Sequence, residues 1–278
     1  MDARFELLRL RFSLRAEGRV RFQAIAANTL RGAFGYALRD TAPEEFERIF
    51  SPRAPGRGPS GLADLPRPFV LRSRHLDGAD FEAGQPFGFD AHLFDVRQPL
   101  AEVFTTAIAE MGRRGIGEAA GRAALDGAEP AAITLSLAPG LQPIGVCAVD
   151  FLTPTELKSN DGLAGQPLFP VVFARVRDRI ATLQSLYGER PFDLDFRGMG
   201  ERAGAVGMTA SEIRLVEAAR RSSRTGQRHP IGGFIGSASY SGPLAEFVPW
   251  LQAAAFTGVG RQTTWGKGEI RVRLSPSE

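Results

Sequence analysis

The sequence predicts an α+β protein made of two similar halves. Three observations support this: strand-like and helix-like apolar patterns alternate along the 278 residues, the order of these elements repeats, and each half's last helix runs into a glycine-rich stretch. A hydrophobic content of 43% is enough for two cores at about 150 residues per domain. We therefore expect an N-terminal domain over residues 1–140 and a C-terminal domain over residues 141–278.

The elements of the first half follow the order β-α-β-β-α-β. Apolar residues alternate with arginine and serine over 8–15, which is the period of a half-buried strand. Apolar residues then recur every three or four positions over 25–38, which predicts a helix that ends before Pro43. The remaining predicted elements are strands at 69–72 and 87–93, a helix at 100–111 and a strand at 132–137.

The second half repeats this order. Its predicted elements are a strand at 146–152, a helix at 173–187, strands at 192–196 and 234–240, a helix at 244–255 and a strand at 270–274. The stretches 115–118 and 266–269, which follow the last helix of each half, both read Gly-x-Gly-Glu. A β-α-β-β-α-β repeat of about 140 residues is typical of the ferredoxin-like unit, so two tandem ferredoxin-like domains are predicted.

Positive charge is concentrated in two segments. The formal net charge is only +3, and all but Lys158 and Lys267 of the 34 basic residues are arginine. Residues 1–39 hold eight arginines against three acidic residues, and residues 214–230 hold five against one. Because the guanidinium fork suits phosphates and stacked bases, these clusters predict a polyanion-binding surface.

Several protein classes are excluded by composition. The single cysteine, Cys147, cannot form an internal disulfide or a cysteine-based zinc site. No apolar run approaches the ~18 residues of a membrane span, and residues 1–14 lack the apolar core of a secretory signal, so we expect a cytoplasmic protein without a membrane partner. Because no His, Cys or acidic cluster has metal-ligand spacing, we predict neither a metal nor another cofactor.

The glycine-rich stretch 258–268 follows a helix and precedes a strand, which is the reverse of the dinucleotide-binding fingerprint. It also lacks the Gly-Lys-Ser/Thr of a P-loop, since Lys267 is followed by Gly268. Its glycines permit positive φ and could expose amide groups to a phosphate, with neighbouring polar side chains as further donors. The alternative is a tight turn that needs glycine for packing.

The chain resembles the repeat-associated (RAMP) superfamily, specifically the CRISPR precursor-RNA processing endoribonucleases. The specific element is FTGVGRQTTWGKGEIRV (256–272), supported by LRGAFGYALR (30–39), MGRRGIGEAAGRAAL (111–125), FLTPTELK (151–158) and GGFIGSASYSGPLAEFVPWL (232–251). This resemblance implies two ferredoxin-like domains, binding of CRISPR repeat RNA, association with other CRISPR-associated proteins, and one cut per repeat. Relatives often carry a histidine in or just after the first helix, but residues 28–45 contain none.

RNA cleavage without a metal requires a base, an acid and donors for the charged phosphorane. His229 is the best-placed candidate because it lies among arginines, and Tyr36 could donate a proton or a hydrogen bond. We expect a surface role for His75 and a solvated structural role for His92. The predicted RNA-binding residues are Arg31, Arg220, Arg221, Arg224, Arg228, Gly258, Gly260, Arg261, Gln262, Thr263, Gly266, Lys267 and Gly268.

The sequence therefore favours a metal-independent endoribonuclease that cuts CRISPR precursor RNA by 2′-hydroxyl attack. Two alternatives to this function stay open. The first is a non-catalytic RNA-binding subunit of a CRISPR effector complex, which would share the fold and the glycine-rich stretch. The second is a tandem ferredoxin-like small-molecule sensor, although a sensor would not need clustered arginines.

Overall fold

Two antiparallel four-stranded sheets, each covered by helices, form the framework of the protein. The computed structural model describes residues 3–53, 65–140, 144–159, 162–217, 219–221, 228–230 and 232–276, with 219–221 and 228–230 described for the backbone alone. Two buried apolar clusters fill the space between the sheets and their helices.

The first sheet has the strand order β3-β5-β1-β6. Numbered along the chain, its four strands lie in the order second, third, first, fourth, which is the ferredoxin-like arrangement. Helices α1 and α3 pack together, and β2 and β4 form a separate two-stranded ribbon. The elements are β1 (Arg4–Ala16), β2 (Val20–Arg21), α1 (Ala26–Thr41), α2 (Pro43–Phe50), β3 (Phe69–Arg72), β4 (Asp80–Phe81), β5 (Pro86–Leu93), α3 (Ala101–Arg114) and β6 (Ala123–Ser136).

The second sheet repeats this topology with the order β10-β13-β7-β14. Helices α4 and α6 pack together as α1 and α3 do. The elements are β7 (Ile144–Thr155), β8 (Lys158–Ser159), β9 (Gly162–Leu163), α4 (Phe169–Tyr187), α5 (Phe196–Ala203), β10 (Gly207–Val216), β11 (Ala219–Arg221), β12 (Arg228–Pro230), β13 (Gly233–Ser241), α6 (Val248–Thr257) and β14 (Ile270–Pro276). The predicted fold class, tandem ferredoxin-like α+β, is confirmed.

Two predicted elements differ from the structure. The strand predicted at 192–196 is wrong: the Asp195 carboxylate accepts a hydrogen bond from Gly198 N at 2.8 Å and so caps α5. The second strand of this half is β10, whose residues are mostly exposed and show no apolar alternation. In the first half, Pro43 ends α1 as predicted but also opens the unpredicted helix α2.

Strand β1 contributes to both apolar clusters. On one side, Leu10, Phe12 and Leu14 pack into the first cluster, under α1 and α3. The alternate residues Phe5 and Leu7 point the other way and join the second cluster, which contains α4 and α6. The helices of the second half therefore pack against the outer face of the first sheet.

Three side chains at this junction, two arginines and one histidine, donate hydrogen bonds to the C-terminal end of α6. Arg72 Nη2 donates to the carbonyl oxygens of Ala255 at 3.0 Å and Phe256 at 2.9 Å. Arg179 Nε donates to the carbonyl oxygen of Thr257 at 2.9 Å. His92 Nδ1 lies 2.9 Å from the Phe256 carbonyl oxygen, which makes it the donor. Cations at a helix C-terminus complement the negative end of its dipole. His92 is only 6% exposed, so the expected solvated role is wrong: α6 covers it.

Acid should destabilise the protein through His92. Burial, then the positive charges of Arg72 and Arg9, lowers the pKa of His92 to about 3, whereas an unfolded histidine titrates near pH 6.5. Between these values the unfolded state binds more protons, so stability is lost as the pH falls. We expect His92 alone to remove about 3 kcal/mol of unfolding free energy between pH 7 and pH 4, from ~1.4 kcal/mol per pKa unit.

Urea unfolding at several pH values measures this effect. In the variant His92→Gln, whose amide can still donate to Phe256, the loss of stability below pH 6.5 should be smaller by that amount. The exposed His75→Gln change should leave the wild-type pH dependence intact. Parallel stability curves for wild type and His92→Gln would contradict the assignment.

Candidate functional site

The glycine-rich turn, residues 258–268, joins α6 to β14 and contains a 3₁₀ turn at Thr263–Trp265. Its four glycines and Gln262 all have positive φ, between 58° and 87°. The turn is fixed to the end of β7: Gly268 N donates to Pro154 O at 3.1 Å, and Arg261 N donates to Glu156 O at 3.2 Å. Backbone geometry alone therefore requires glycine at several of these positions.

Close approach explains the glycines as much as φ does. A Cβ on Gly260 would overlap the carbonyl oxygen of Glu156, and one on Gly268 would overlap that of Val259. A Cβ on Gly266 would lie 2.6 Å from the Cβ of Ala27 in α1. The stretch 115–121 in the first half is similar, since a Cβ on Gly117 would overlap the Arg21 carbonyl oxygen. The packing interpretation therefore accounts for these positions, and phosphate contact by them stays a prediction.

Lys267 was predicted to donate a hydrogen bond to an RNA phosphate, but its side chain is buried in the structure. Its side chain is 1% exposed, and its Nζ lies 2.6 Å from Glu156 Oε2. Burial lowers the pKa of Lys267, while the Glu156 carboxylate acts to raise it. The ammonium is thus committed to an internal ion pair that fastens the turn to the segment after β7. Thr263 is also buried, and among the predicted polar side chains of the turn Arg261 is the exposed one.

Replacing Gly268 with alanine should destabilise the protein strongly. The methyl group would meet the Val259 carbonyl in a left-handed backbone conformation, and such overpacking and strain together cost about 2–4 kcal/mol. We expect the melting temperature to fall by several degrees. Gly207→Ala is the matched control, because no heavy atom lies within 4 Å of a Cβ there and its φ is not positive. Equal melting temperatures for the two variants would contradict the packing role.

Helix α1 begins against the turn. Its first amide, Ala26 N, donates to Asp77 Oδ1 at 2.8 Å, and burial raises the pKa of that carboxyl. One turn further along, the guanidinium of Arg31 lies 5.6 Å from the Trp265 ring and 5.1 Å from the Phe50 ring. These contacts connect the predicted RNA-binding Arg31 to the glycine-rich turn.

Tyr36 lies on the outer surface of α1, 45% exposed, with its ring 5.3 Å from the Arg39 guanidinium. Nine residues separate Tyr36 from Ala27, which is about 14 Å along a helix axis. The structure therefore does not bring Tyr36 to the glycine-rich turn, and a substrate reaching both must extend along α1.

A cavity of about 320 Å³ opens beside the turn, between the two sheets. It is lined by the start of α1, the ends of β3, β7 and β10, and Gly266. Its charged groups are mixed: Arg74 and Arg214 face Asp77, Glu217 and Glu269. We call it the junction cavity.

A second cavity of about 560 Å³ shares Arg74 and Glu269 with the junction cavity and includes Arg11, Arg72 and His75. His75 Nε2 lies 2.9 Å from the Gly88 carbonyl oxygen. Because a carbonyl only accepts, Nε2 is the donor in this hydrogen bond. The expected surface position of His75 is confirmed by its exposure, but nothing in the sequence indicated that it lines a cavity.

The arginine-rich hairpin is formed by β11 and β12. It continues from the β10–β13 pair, whose last rung joins Val216 and Gly233, and Val216 lines the junction cavity. Within the hairpin, Arg220 pairs with His229 and Arg221 with Arg228. Arg224 and the side chains of the other four residues lie outside the described residues. Their roles in catalysis and RNA binding remain predictions.

The part of the chain that the structure describes shows no group of three or more His, Cys, Asp or Glu that could hold a metal ion. Within the same residues, no helix is long and apolar enough to cross a membrane. Burial raises the pKa of the Cys147 thiol to about 12, as expected for a cysteine with a packing role.

Comparison with known families gives two matches that together span most of the chain. Residues 149–270 match the family of the CRISPR-associated endoribonuclease Cas6. Residues 5–135 match a family described as an N-terminal domain. A search of curated protein sequences found no match.

Solved structures show the same fold over nearly the whole length. A Cas6 product complex has a TM-score of 0.64 at 18% identity, covering 96% of this chain and 99% of that one. Thermus thermophilus Cas6 has a TM-score of 0.56 at 16% identity, covering 98% and 100%. A chain of a partial Cas6-RT-Cas1–Cas2 complex has a TM-score of 0.59 at 12% identity, covering 97% of this chain and 46% of that one.

The fold, the glycine-rich turn and the family match define a class, the CRISPR-associated enzymes that cleave RNA. Within that class, the C-terminal half of the chain matches the Cas6 family of CRISPR-associated endoribonucleases over residues 149–270. The family predicted from the 256–272 motif is confirmed.

Proposed function

We propose that this protein cuts CRISPR repeat RNA once per repeat by a metal-independent mechanism. The 2′-hydroxyl upstream of the scissile phosphate attacks the phosphorus, and the downstream 5′ oxygen leaves. The products are a 2′,3′-cyclic phosphate and a 5′-hydroxyl. The protein must then supply only proton transfer and stabilisation of the charged phosphorane.

One observation supports the proposal beyond the family match: the end of β10, from which the arginine-rich hairpin continues, and the glycine-rich turn line the same cavity. Val216 at the hairpin base and Gly266 of the turn both line it. Arginines supply the positive charge that a phosphate backbone requires, and His229 lies in the hairpin. RNA bound along the hairpin and extending to α1 would therefore lie along the strand that carries His229.

We assign His229 the acid-base role and Tyr36 a hydrogen bond to the phosphate. The residues we expect to bind RNA are those of the hairpin together with Arg31 and the exposed Arg261. Gly258, Gly260, Gly266 and Gly268 shape the turn that carries Arg261. The partners are CRISPR repeat RNA and other CRISPR-associated proteins, and the compartment is the cytoplasm.

A non-catalytic RNA-binding subunit is the second candidate. It is favoured by the absence of histidine from helix α1, Ala26–Thr41. Such a subunit would bind repeat RNA and leave it intact.

The deciding experiment is incubation of the purified protein with end-labelled cognate repeat RNA in excess EDTA. We expect one cut per repeat and a 5′ fragment that ends in a cyclic phosphate, identified by mass spectrometry. Loss of cleavage in EDTA would overturn the metal-independent mechanism. Tight binding without any cleavage, with or without Mg²⁺, would favour the non-catalytic subunit.

A further inference from the structure

Three arginines converge where α6 meets the first sheet. Arg9 of β1 pairs with His92 of β5. On the other side of β5, His92 pairs with Val70 of β3, and Arg72 lies two residues further along β3. Arg179 is a residue of α4. The positive charges of Arg9 and Arg72 both act on His92, and that of Arg72 acts on Arg179. We call Arg9, Arg72 and Arg179 the interface arginine cluster.

Several guanidinium donors of this cluster are buried without a hydrogen-bond partner among the described residues. They are Arg9 Nε, Arg72 Nε and Nη1, and Arg179 Nη2. Buried polar groups in native proteins are almost always hydrogen-bonded, and leaving a charged donor unpaired is costly. Four such donors at one junction are therefore available to an acceptor from outside the chain.

The charges at the junction point to the same conclusion. The carboxylate that acts on Arg72 is Glu269, and none of the three arginines forms an ion pair with a described acidic residue within 4.0 Å. The C-terminal end of α6 adds only about half a negative charge. The buried guanidinium groups of Arg72 and Arg179, together with the partly buried Arg9, thus face about one and a half negative charges, and such an excess is unfavourable without a counter-ion.

We propose that the interface arginine cluster binds one phosphate-type oxyanion, supplied by free inorganic phosphate or by a phosphate group of bound RNA. Guanidinium donors bind tetrahedral oxyanions better than other ligands because two parallel N–H groups can meet two oxygens. Arg72 also lines the 560 Å³ cavity, which gives the anion a route from solvent. The anion would join α4, α6 and the first sheet, and so fix the start of the glycine-rich turn.

Equilibrium dialysis of the whole protein against inorganic phosphate, in chloride buffer of constant ionic strength, tests the proposal directly. We expect one phosphate bound per chain. A hundredfold excess over the dissociation constant should raise the melting temperature by about 5 °C. Binding of less than a tenth of an equivalent at millimolar phosphate would overturn the proposal, and this measurement needs no variant.

Two variants locate the site. Arg9→Gln removes a positive charge but none of the hydrogen bonds to α6, and we expect it to weaken phosphate binding at least tenfold. Arg11→Gln is the matched control on the same face of β1, because Arg11 is exposed and pairs with Asp90 at 3.3 Å; its phosphate affinity should equal that of wild type. Equal weakening, or none, in both variants would overturn the assignment.

Phosphorus-31 NMR with repeat RNA separates the two sources. Release of bound inorganic phosphate on adding RNA would show that an RNA phosphate takes the site, and retention would assign the site to the free ion. The proposal that an RNA phosphate occupies the site rests on the proposed function, whereas the dialysis result with inorganic phosphate is independent of that function. A protein that binds phosphate but cuts no RNA would therefore leave this inference standing while the proposed function fails.

Discussion

A repeat RNA with one 2′-deoxyribose just upstream of the cut is expected to bind with unchanged affinity and to remain intact. Removing that hydroxyl removes the nucleophile, so the rate should fall to background while the phosphates that give affinity are untouched. The measurement compares binding by gel shift and cleavage by product analysis on the same RNA.

The adjacent hydroxyl is an efficient nucleophile because it is already attached to the substrate. Intramolecular attack avoids the entropic cost of bringing in a water molecule, so the proposed mechanism requires no metal-bound hydroxide. The same 2′-deoxy change one nucleotide downstream serves as the control and should be cut at the normal rate. Cleavage of the upstream-modified RNA would exclude this mechanism and require an external nucleophile.

Replacing His229 with alanine should slow cleavage by about 10²–10⁴-fold, which is the usual contribution of a general acid or base. A neutral imidazole can accept the proton of the 2′-hydroxyl at physiological pH. RNA affinity should change little, because the arginines of the hairpin remain. Single-turnover kinetics at saturating protein separate the chemical step from binding.

Tyr36→Phe and His75→Ala complete this series. Tyr36→Phe should cause a smaller loss than His229→Ala if its hydroxyl only positions the phosphate. His75→Ala should leave the rate unchanged, although His75 lines the 560 Å³ cavity and is therefore the next candidate. A large loss in His75→Ala with none in His229→Ala would transfer the acid-base role to the cavity.

The fold could be predicted because both halves contain long, regularly patterned elements. The alternating residues of β1 and the helical stripe of α1 each present one apolar face to a core. Strand β10 could not be predicted, since most of its residues are exposed and a strand at a sheet edge needs no apolar alternation. The capping role of Asp195 was likewise hidden, because its partner Gly198 is recognisable only once α5 is known.

The site was less accessible to sequence reasoning because its residues act through distant partners. The sequence around Lys267 predicts an exposed cation next to glycines. Its burial depends on Glu156, which is more than a hundred residues away in the sequence. His92 reads as an outward-facing strand residue, and only the packing of α6 against β5 buries it. The glycine-rich turn could be predicted because the positive φ angles of the turn require several glycines close together in the sequence.

The two-sided use of β1 has a consequence for any attempt to divide the protein. Phe5 and Leu7 are covalently part of the first half but complete the second apolar cluster. A polypeptide beginning near residue 144 would therefore lack these two side chains as well as Val70, Phe94 and Leu137 of the same cluster, and it would expose the apolar surface that they cover. Expressed as separate pieces, the halves should be poorly soluble alone and regain a native state on mixing, so this protein is suited to split-protein complementation.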